Sequence, residues 1–482
     1  MAPENVKIQY ESIEVNSLKG SVNLVKPIIS VYEKTTYEIN TQIELDHLSV
    51  DGFSYWNYLF NNKIILGDIL FSRPKITSYL NDKVKSRLYK DEFIKGLKQI
   101  IQIESIEIQD AHVEVYDDSD DSLLLKSENL NFKIDAVEIS PSTENNSITY
   151  KDFKVTSNTI FYRLTEYDNL VLVHLDVSSD FSKFKGITLK TKYSKEALSN
   201  QITVERDHYD LTIDSIEIKK QDFGFKQDSF FYFKSQRVDF YQPDFKIYSD
   251  KLVEDDLSYK PLYSKMLRAL SFSMALESVF LNNASITYTE KVKIDTKGGS
   301  LLFSKLNGEI KNLDNTYESG EKVTSAKIKA VFMDNTPVDV QWEFDVNNPH
   351  DEFIFKAEIG KLNAMSMNRF IEPNLNVRLK GEIDKTYFTI NGNDLNSRID
   401  LKLKYDNFDV LVLKEKGIEV NKFLSNIVNI FVSKDSANAS KDFKHGSKSQ
   451  VERTRNKSVF NYLWLNIKVG LLNAMKADGK EK

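Results

Sequence analysis

Apolar and polar residues alternate with a period of two along most of this 482-residue chain. Successive side chains of a β-strand point to opposite faces, so this alternation predicts strands with one apolar and one polar face. In the clearest segment, residues 338–346, five apolar side chains alternate with Asp339, Gln341, Glu343 and Asp345. About twenty such segments favour antiparallel sheet over parallel βαβ units. We therefore predict a mainly-β protein.

Composition agrees with long strands and excludes several classes of protein. The chain has 30 Phe, 23 Tyr and 3 Trp against only 17 Gly and 9 Pro, so turns are few. It has no Cys, which excludes disulfides, thiolate metal sites and thiol catalysis. The formal net charge is -6 with no dominant basic block, which argues against nucleic-acid binding. No run of 18 apolar residues indicates a membrane-spanning helix.

Helical periodicity is scarce and falls next to predicted strands. Short helices along a sheet edge are predicted at 55–59, 82–101 and 263–276. Residues 433–457 are rich in Ser, Lys and Asn and have no periodicity, with seven basic and three acidic residues. This composition predicts a flexible basic linker.

A C-terminal amphipathic helix is predicted at 458–482, with Ser458 as its cap. Its apolar residues recur every three or four positions on one stripe: Phe460, Leu463, Trp464, Ile467, Leu471 and Met475. The first five of these are candidate membrane contacts, with Trp464 at headgroup depth. The stripe could equally cap the open end of a sheet and protect its edge.

An internal repeat is the most specific feature of the sequence. Residues 103–117 match residues 276–290 at nearly every apolar position, and fainter copies surround Pro74 and Pro243. In a regular strand, the five-residue step from Ile108 to Val113 would place Val113 on the opposite face from Ile108. Either a one-residue bulge or a two-residue hairpin loop would restore that face, and the bulge fits better because proline is tolerated there.

The repeat favours one elongated, curved antiparallel β-sheet, a repeating β-groove, over several separate domains. It divides the chain into an N-terminal β section, a first and a second repeat section, the basic linker and the C-terminal helix with its tail. These sections span residues 1–101, 102–275, 276–432, 433–457 and 458–482.

Catalytic and metal-binding motifs are not recognisable. The six histidines are scattered without ligand spacing, and no nucleophile elbow or phosphate-binding loop occurs. The acidic run at 117–121 lacks the Gly and the distal Glu of a calcium-binding EF-hand loop. We therefore expect no catalytic residue, metal or cofactor, and a protein that is not an enzyme.

The order of several short motifs resembles the AsmA-like family, whose relatives include TamB and the bridge-like lipid-transfer proteins. The motifs that carry the resemblance are Ile13–Leu24, Ile64–Ile76 with Pro74, Phe370–Pro373, Leu379–Ile383, Leu401–Tyr405 and Phe408–Val410. The resemblance implies a β-groove in the periplasm that shields phospholipid acyl chains between the inner and outer membranes. It also implies a role in outer-membrane biogenesis and an N-terminal inner-membrane anchor.

An acyl-chain groove needs a wall of alternate apolar side chains. The candidate lipid-contact residues are Ile106, Ile108, Val113, Val115, Val279, Leu281, Ile286, Val338, Val340, Trp342, Phe344, Leu401 and Leu403. The partners expected from the resemblance are phospholipids, the two membrane surfaces and an unidentified periplasmic or membrane protein, with no nucleic acid.

The opening residues depart from the family pattern, because residues 1–5 are polar and no apolar helix precedes Val6. We expect either that the inner-membrane anchor has been removed from this chain or that the protein differs from its relatives.

Two other functions stay open. A structural or adhesive β-solenoid would hold the same apolar faces in a dry core, and an unrecognised hydrolase would need titratable residues brought together in a cleft.

Overall fold

A computed structural model describes residues 5–33, 38–80, 99–140, 147–226, 230–413 and 443–475. The chain divides into two compact units, Met1–Leu189 and Lys190–Lys482. Strand is the dominant secondary structure in both units, so the prediction of a mainly-β protein is confirmed.

The first unit contains one described helix, α1 (Tyr55–Phe60), and strands β1 to β14, of which the last ends just past the unit boundary. The strands are β1 (Val6–Gln9), β2 (Ser12–Asn16), β3 (Ser21–Val25), β4 (Ile28–Tyr32), β5 (Ile39–Glu44), β6 (His47–Val50), β7 (Lys63–Ser72), β8 (Lys75–Leu80), β9 (Ile100–Asp117), β10 (Leu123–Ser140), β11 (Ser147–Thr149), β12 (Asp152–Arg163), β13 (Asp168–Ser178) and β14 (Phe181–Thr191).

The second unit contains strands β15 to β26 and four described α-helices. The strands are β15 (His208–Phe225), β16 (Phe231–Tyr241), β17 (Asp244–Asp250), β18 (Ser273–Lys291), β19 (Gly299–Asp314), β20 (Thr324–Phe332), β21 (Thr336–Phe344), β22 (Phe353–Ile359), β23 (Leu362–Asn363), β24 (Val377–Gly392), β25 (Asn396–Val412) and β26 (Lys444–Glu452). The helices are α2 (Lys195–Gln201), α3 (Tyr263–Arg268), α4 (Asn368–Leu375) and α5 (Val459–Met475), and a 3-10 turn spans Ala364–Met367.

Most neighbouring strands pair antiparallel, as the alternation predicts, but each unit has one parallel junction. The β7–β8 pair runs parallel to β9, and the β16–β17 pair runs parallel to β18. The predicted antiparallel sheet therefore contains two places at which neighbouring strands run parallel. A parallel neighbour requires a crossover connection, and residues 251–272 supply one in the second unit.

The repeated five-residue step is a β-bulge, as predicted. β9 continues through it, with Ile108 opposite Phe132 and Ala111 opposite Leu130, so Ile108 and Ala111 do not form a hairpin pair. In all four copies the residue before the Pro or Ala position has a positive φ: Arg73, Asp110, Gln242 and Asn283, at 47°, 52°, 50° and 54°. The extra residue keeps both halves of each strand on the same face.

The structural repeat extends beyond the sequence motif into the following strand. Asn131 of β10 accepts a hydrogen bond from the Asp110 N–H at 3.0 Å, and Asn307 of β19 accepts one from the Asn283 N–H at 3.1 Å. Each asparagine amide also donates to a backbone carbonyl two residues earlier on its own strand, at 3.0 Å in both cases. The same side chain therefore stabilises the same bulge in both units.

The predicted edge helices have three different outcomes. Helix α1 is confirmed, with the Ser54 hydroxyl accepting from the Asn57 N–H. The helix predicted at 263–276 ends at Arg268, because residues 273–276 instead pair with β16 in the sheet. The one predicted at 82–101 falls mostly outside the described residues, and Ile101, at its end, lies in β9.

The predicted linker at 433–457 is wrong from residue 444 onward, because Lys444–Glu452 forms β26 against β25. The basic residues that follow it are held by ion pairs. Arg453 pairs with Asp394, and Lys457 lies 2.9 Å from Glu205 and 2.8 Å from Asp255. The composition of these basic residues suggests a solvated linker, but in the structure they hold the chain against connections between strands. Residues 433–442 lie outside the described residues.

Candidate apolar binding face

Strand pairing in the second unit aligns apolar residues in rows that cross the sheet. Residues directly opposite each other in paired strands share a face, so a row can be followed from strand to strand. The first row crosses nine strands through Ile218, Val238, Val279, Ile310, Ala326, Trp342, Phe355, Ile390 and Ile399. The second crosses ten through Ile216, Phe240, Leu281, Gly308, Ile328, Val340, Ala357, Phe388, Leu401 and Gly446. Both rows lie on one face, which we call the apolar face.

All nine candidate lipid-contact residues of the second unit lie on the apolar face. Five belong to the two rows: Val279, Leu281, Val340, Trp342 and Leu401. Val338 and Leu403 lie in a shorter row beside them, Phe344 lies opposite Phe353, and Ile286 lies opposite Phe303 beyond the bulge. The alternation therefore predicts their shared face correctly. Their contact with lipid stays a prediction.

The four candidates of the first unit share one face of β9. Ile106 and Ile108 precede the bulge and lie opposite Ile134 and Phe132 of β10, whereas Val113 and Val115 follow it. All four are half-buried. The bulge thus gives this strand a continuous apolar side.

Helix α5 covers the apolar face at its β24–β26 end. Ile399, Leu401 and Leu403 are at most 2% exposed there and share a core with Tyr462 and Leu463 of the helix. Leu401 and Leu403, predicted to contact lipid, are therefore core residues beneath a helix in this structure. Their cover comes from a segment some 60 residues away, which strand alternation does not reveal.

Two glycines bring α5 close to the sheet. A Cβ at Gly446 would lie 2.1 Å from the Gly470 carbonyl oxygen, and one at Gly470 would lie 3.1 Å from the Leu401 Cβ. Asn466, fully buried, donates to the Tyr462 carbonyl and accepts from the Ser397 hydroxyl, both at 2.9 Å. Close backbone approach and specific hydrogen bonds therefore hold α5 against the sheet.

The side of α5 that faces the sheet differs from the predicted stripe. Val459, Tyr462, Leu463, Asn466, Gly470 and Ala474 are buried. Of the predicted membrane contacts, only Leu463 is among them; Ile467 and Leu471 are half-buried, and Phe460 and Trp464 are exposed. The helix therefore packs on the apolar face through a stripe that overlaps the predicted one at Leu463, Ile467 and Leu471. Bilayer contact by Phe460 and Trp464 stays a prediction. Gly470 and Ala474, at four-residue spacing, are the sequence signal that marks the buried side.

Away from α5 the apolar face is less covered. Leu281, Ile310, Ile328 and Val340 are half-buried, although Val279, Ala326 and Val338 beside them are buried and Val340 also packs against the core beneath α5. We call these four residues, on strands β18 to β21, the half-buried part of the apolar face, and the residues beneath α5 the covered end.

Trp342 lies between these two parts, in an aromatic cluster. Its ring centroid is 5.4 Å from that of Tyr263 and 5.6 Å from that of Phe355. Its indole N–H is buried with no hydrogen-bond partner among the described residues, and burial raises the pKa of Tyr263. The cluster contributes apolar surface and no charge.

A depression of about 1090 Å³ is lined by eight residues of the second row, among them Leu281, Ile328 and Val340, and by the mostly polar residues on either side of them. On β26 its lining residues are Phe443, His445, Gly446 and Ser447, and α5 already fills the apolar side of Gly446. Its charged residues balance: Lys327, Lys329, Lys356 and Lys402 against Glu309, Asp339, Glu358 and Asp400. Such a lining does not select an ion of either sign.

Titratable groups with shifted pKa values gather elsewhere, around Ser249. Burial raises the pKa values of Asp207 and Tyr288, and burial together with nearby carboxylates raises the pKa of Tyr248 to about 12. Asp207, Tyr248 and Tyr288 do not line the depression. Within the described ranges, no cluster of three or more His, Asp or Glu side chains could hold a metal ion.

None of the helices in the described part of the chain is long and apolar enough to cross a bilayer. No protein-family model matches the sequence, and no curated protein matches it.

Proposed function

We propose that this protein binds phospholipid acyl chains on the apolar face of its sheet and transfers them between the inner and outer membranes. The observation that carries the proposal is the pair of apolar rows that cross nine and ten strands. The resemblance to the AsmA-like family adds the cellular setting: a periplasmic protein of outer-membrane biogenesis, tethered to the inner membrane. On this proposal the protein is not an enzyme.

The free energy of acyl-chain hydration explains why such a face would be useful. Exposing about 15 methylenes to water costs roughly 12 kcal/mol, at about 0.8 kcal/mol each. A continuous apolar surface removes much of that cost without any directional contact. Headgroups would stay in water, so the face needs neither catalytic groups nor charge.

The length of the rows fits an extended chain. At roughly 4.8 Å between neighbouring strands, ten strands span about 43 Å along the sheet. One leaflet of a bilayer is about 15 Å of hydrocarbon, half of a core of about 30 Å. The rows therefore exceed the length of one acyl chain. We assign the chains to the half-buried part, because α5 occupies the covered end. The four strands of the half-buried part span about 14 Å, which is close to the hydrocarbon thickness of one leaflet.

The test is phospholipid transfer between donor and acceptor liposomes by the Ile328→Ser variant. Its matched control is Lys327→Ser, which changes the neighbouring residue on the opposite face. We expect Ile328→Ser to slow transfer several-fold and the control to leave the rate unchanged. Equal rates in both variants, with thermal unfolding unaltered, would contradict the proposal.

A structural or adhesive β-protein with a dry core is the second candidate. The observation in its favour is the covered end, where helix and sheet enclose Ile399 and Leu403 completely. That function predicts no lipid in native mass spectra of protein purified without detergent. Lipid-transfer function predicts phospholipid adducts in the same spectra.

A further inference from the structure

Helix α1 of the first unit presents an apolar side that the sheet does not cover. None of its residues is buried. Trp56, Leu59 and Phe60 lie at i, i+3 and i+4, so they share one side of the helix, and they are 68%, 69% and 65% exposed. The rings of Trp56 and Phe60 lie 4.2 Å apart. Exposed large side chains of this kind are usually found at binding surfaces.

The turn between β2 and β3 adds to the same surface. Leu18 at this turn is fully exposed. The turn is joined to the residues before α1 by the Phe53 N–H, which donates to the Gly20 carbonyl at 3.0 Å. Gly20 has a φ of +63°, and a Cβ there would lie 2.5 Å from the Phe53 carbonyl oxygen. Glycine thus allows the turn and the start of α1 to pack together. We call residues 15–20 and 52–63 the aromatic tip.

The charge of the aromatic tip differs from that of the whole chain. Its only charged residues are Lys19 and Lys63, whereas the chain has a net charge of -6. Asn57 and Asn61 are hydrogen-bonded to each other along α1 at 2.8 Å. The tip therefore combines Trp, Tyr, Phe and Leu with a weak positive charge and neutral polar groups.

We propose that the aromatic tip docks on the surface of a phospholipid bilayer that contains anionic lipid. Trp and Tyr are favoured at the headgroup level, where their rings are apolar and their N–H and O–H groups stay hydrated. Lys19 complements anionic headgroups, whereas the Lys63 ammonium already interacts electrostatically with the Glu138 carboxylate. The tip projects side chains outward instead of forming a groove for a peptide. This inference goes beyond lipid transfer, since a protein can dock on a bilayer without carrying lipid.

The test is co-sedimentation of the full chain with vesicles of phosphatidylethanolamine and phosphatidylglycerol. We expect the double variant Trp56→Ser/Phe60→Ser to bind at least about tenfold more weakly than the unchanged protein. Ile294→Ser, which removes an isolated exposed side chain from the second unit, should bind normally. Thermal unfolding should be unaltered in both, because all three side chains are exposed.

A third variant separates the tip from the other candidate membrane surface. Phe460→Ser/Trp464→Ser on α5 should retain binding if the tip is the contact. Loss of binding in this variant together with retention in Trp56→Ser/Phe60→Ser would overturn the inference, as would absence of vesicle binding by the unchanged protein. The readout of this experiment is vesicle binding and not lipid transfer. A negative result would therefore not decide the outcome of the liposome-transfer test of Ile328→Ser.

Discussion

The covered end and the half-buried part of the apolar face differ although the same rows run through both. Leu401 and Ile328 lie in one row, yet Leu401 is buried beneath α5 and Ile328 is half-buried. Alternation determines which face a side chain takes, because the pleat is a local property of the strand. What covers that face depends on a separate segment. The comparison therefore divides one apolar surface into a protein core and a candidate ligand surface.

The largest expected effect is on stability at the covered end. Leu403→Ala removes a fully buried side chain and should lower the free energy of unfolding by about 3 kcal/mol. Ile328→Ala in the half-buried part should cost about 1 kcal/mol, because its side chain already has partial contact with water. Urea denaturation of both variants measures the difference. Equal losses of unfolding free energy in the two variants would mean that the covered end and the half-buried part are equally buried.

A glycine pair in the second row gives the next largest effect. Gly446→Ala places a methyl group against the α5 backbone and should cost about 2 kcal/mol. Gly308→Ala meets only Leu281 and Ile328 side chains at 3.4 and 3.5 Å, so its stability should change by less than about 0.5 kcal/mol. Thermal unfolding compares the two variants. A large loss at Gly308 would show that the half-buried part is also tightly covered.

The smallest expected effect is on the pH dependence of stability, and it arises at Asp239 on the polar face of the sheet. The fully buried Asp239 carboxylate accepts from Arg237 Nε at 2.7 Å and Nη2 at 2.8 Å, and these bonds hold the pKa of Asp239 below its usual 3.8. A lowered pKa stabilises the folded state above the unfolded-state pKa, and this contribution is lost as pH falls through the folded-state value.

Asp239→Asn should therefore reduce the loss of stability as pH falls below about 3.8, the usual pKa of this carboxyl. The change should be about 1 kcal/mol or less, because Arg237 is half exposed to solvent. Leu403→Ala and Ile328→Ala should keep the unchanged protein's pH dependence. An unchanged pH profile in Asp239→Asn would show that this ion pair does not contribute.

The same contrast between local and distant contacts explains what could be predicted from sequence. The strand faces and the bulge at Asp110 and Asn283 follow from patterns within about ten residues. The covered end depends on the close approach of Gly446 to Gly470. The end of β26 is held by an ion pair between Arg453 and Asp394, which lies in the connection between two other strands. The parallel junctions also join strands whose pairing no local pattern specifies. The residues of the aromatic tip can be read from the sequence, but their exposure becomes evident only when no other described residues are seen to cover α1.

The most direct test of lipid binding compares the two faces at adjacent residues. A photo-activated cross-linking amino acid replaces Val340, on the apolar face, or Gln341, on the opposite face, in protein produced in cells. We predict phospholipid adducts at position 340 and few or none at position 341. Adducts with protein alone at position 340, or equal lipid capture at both positions, would contradict the account.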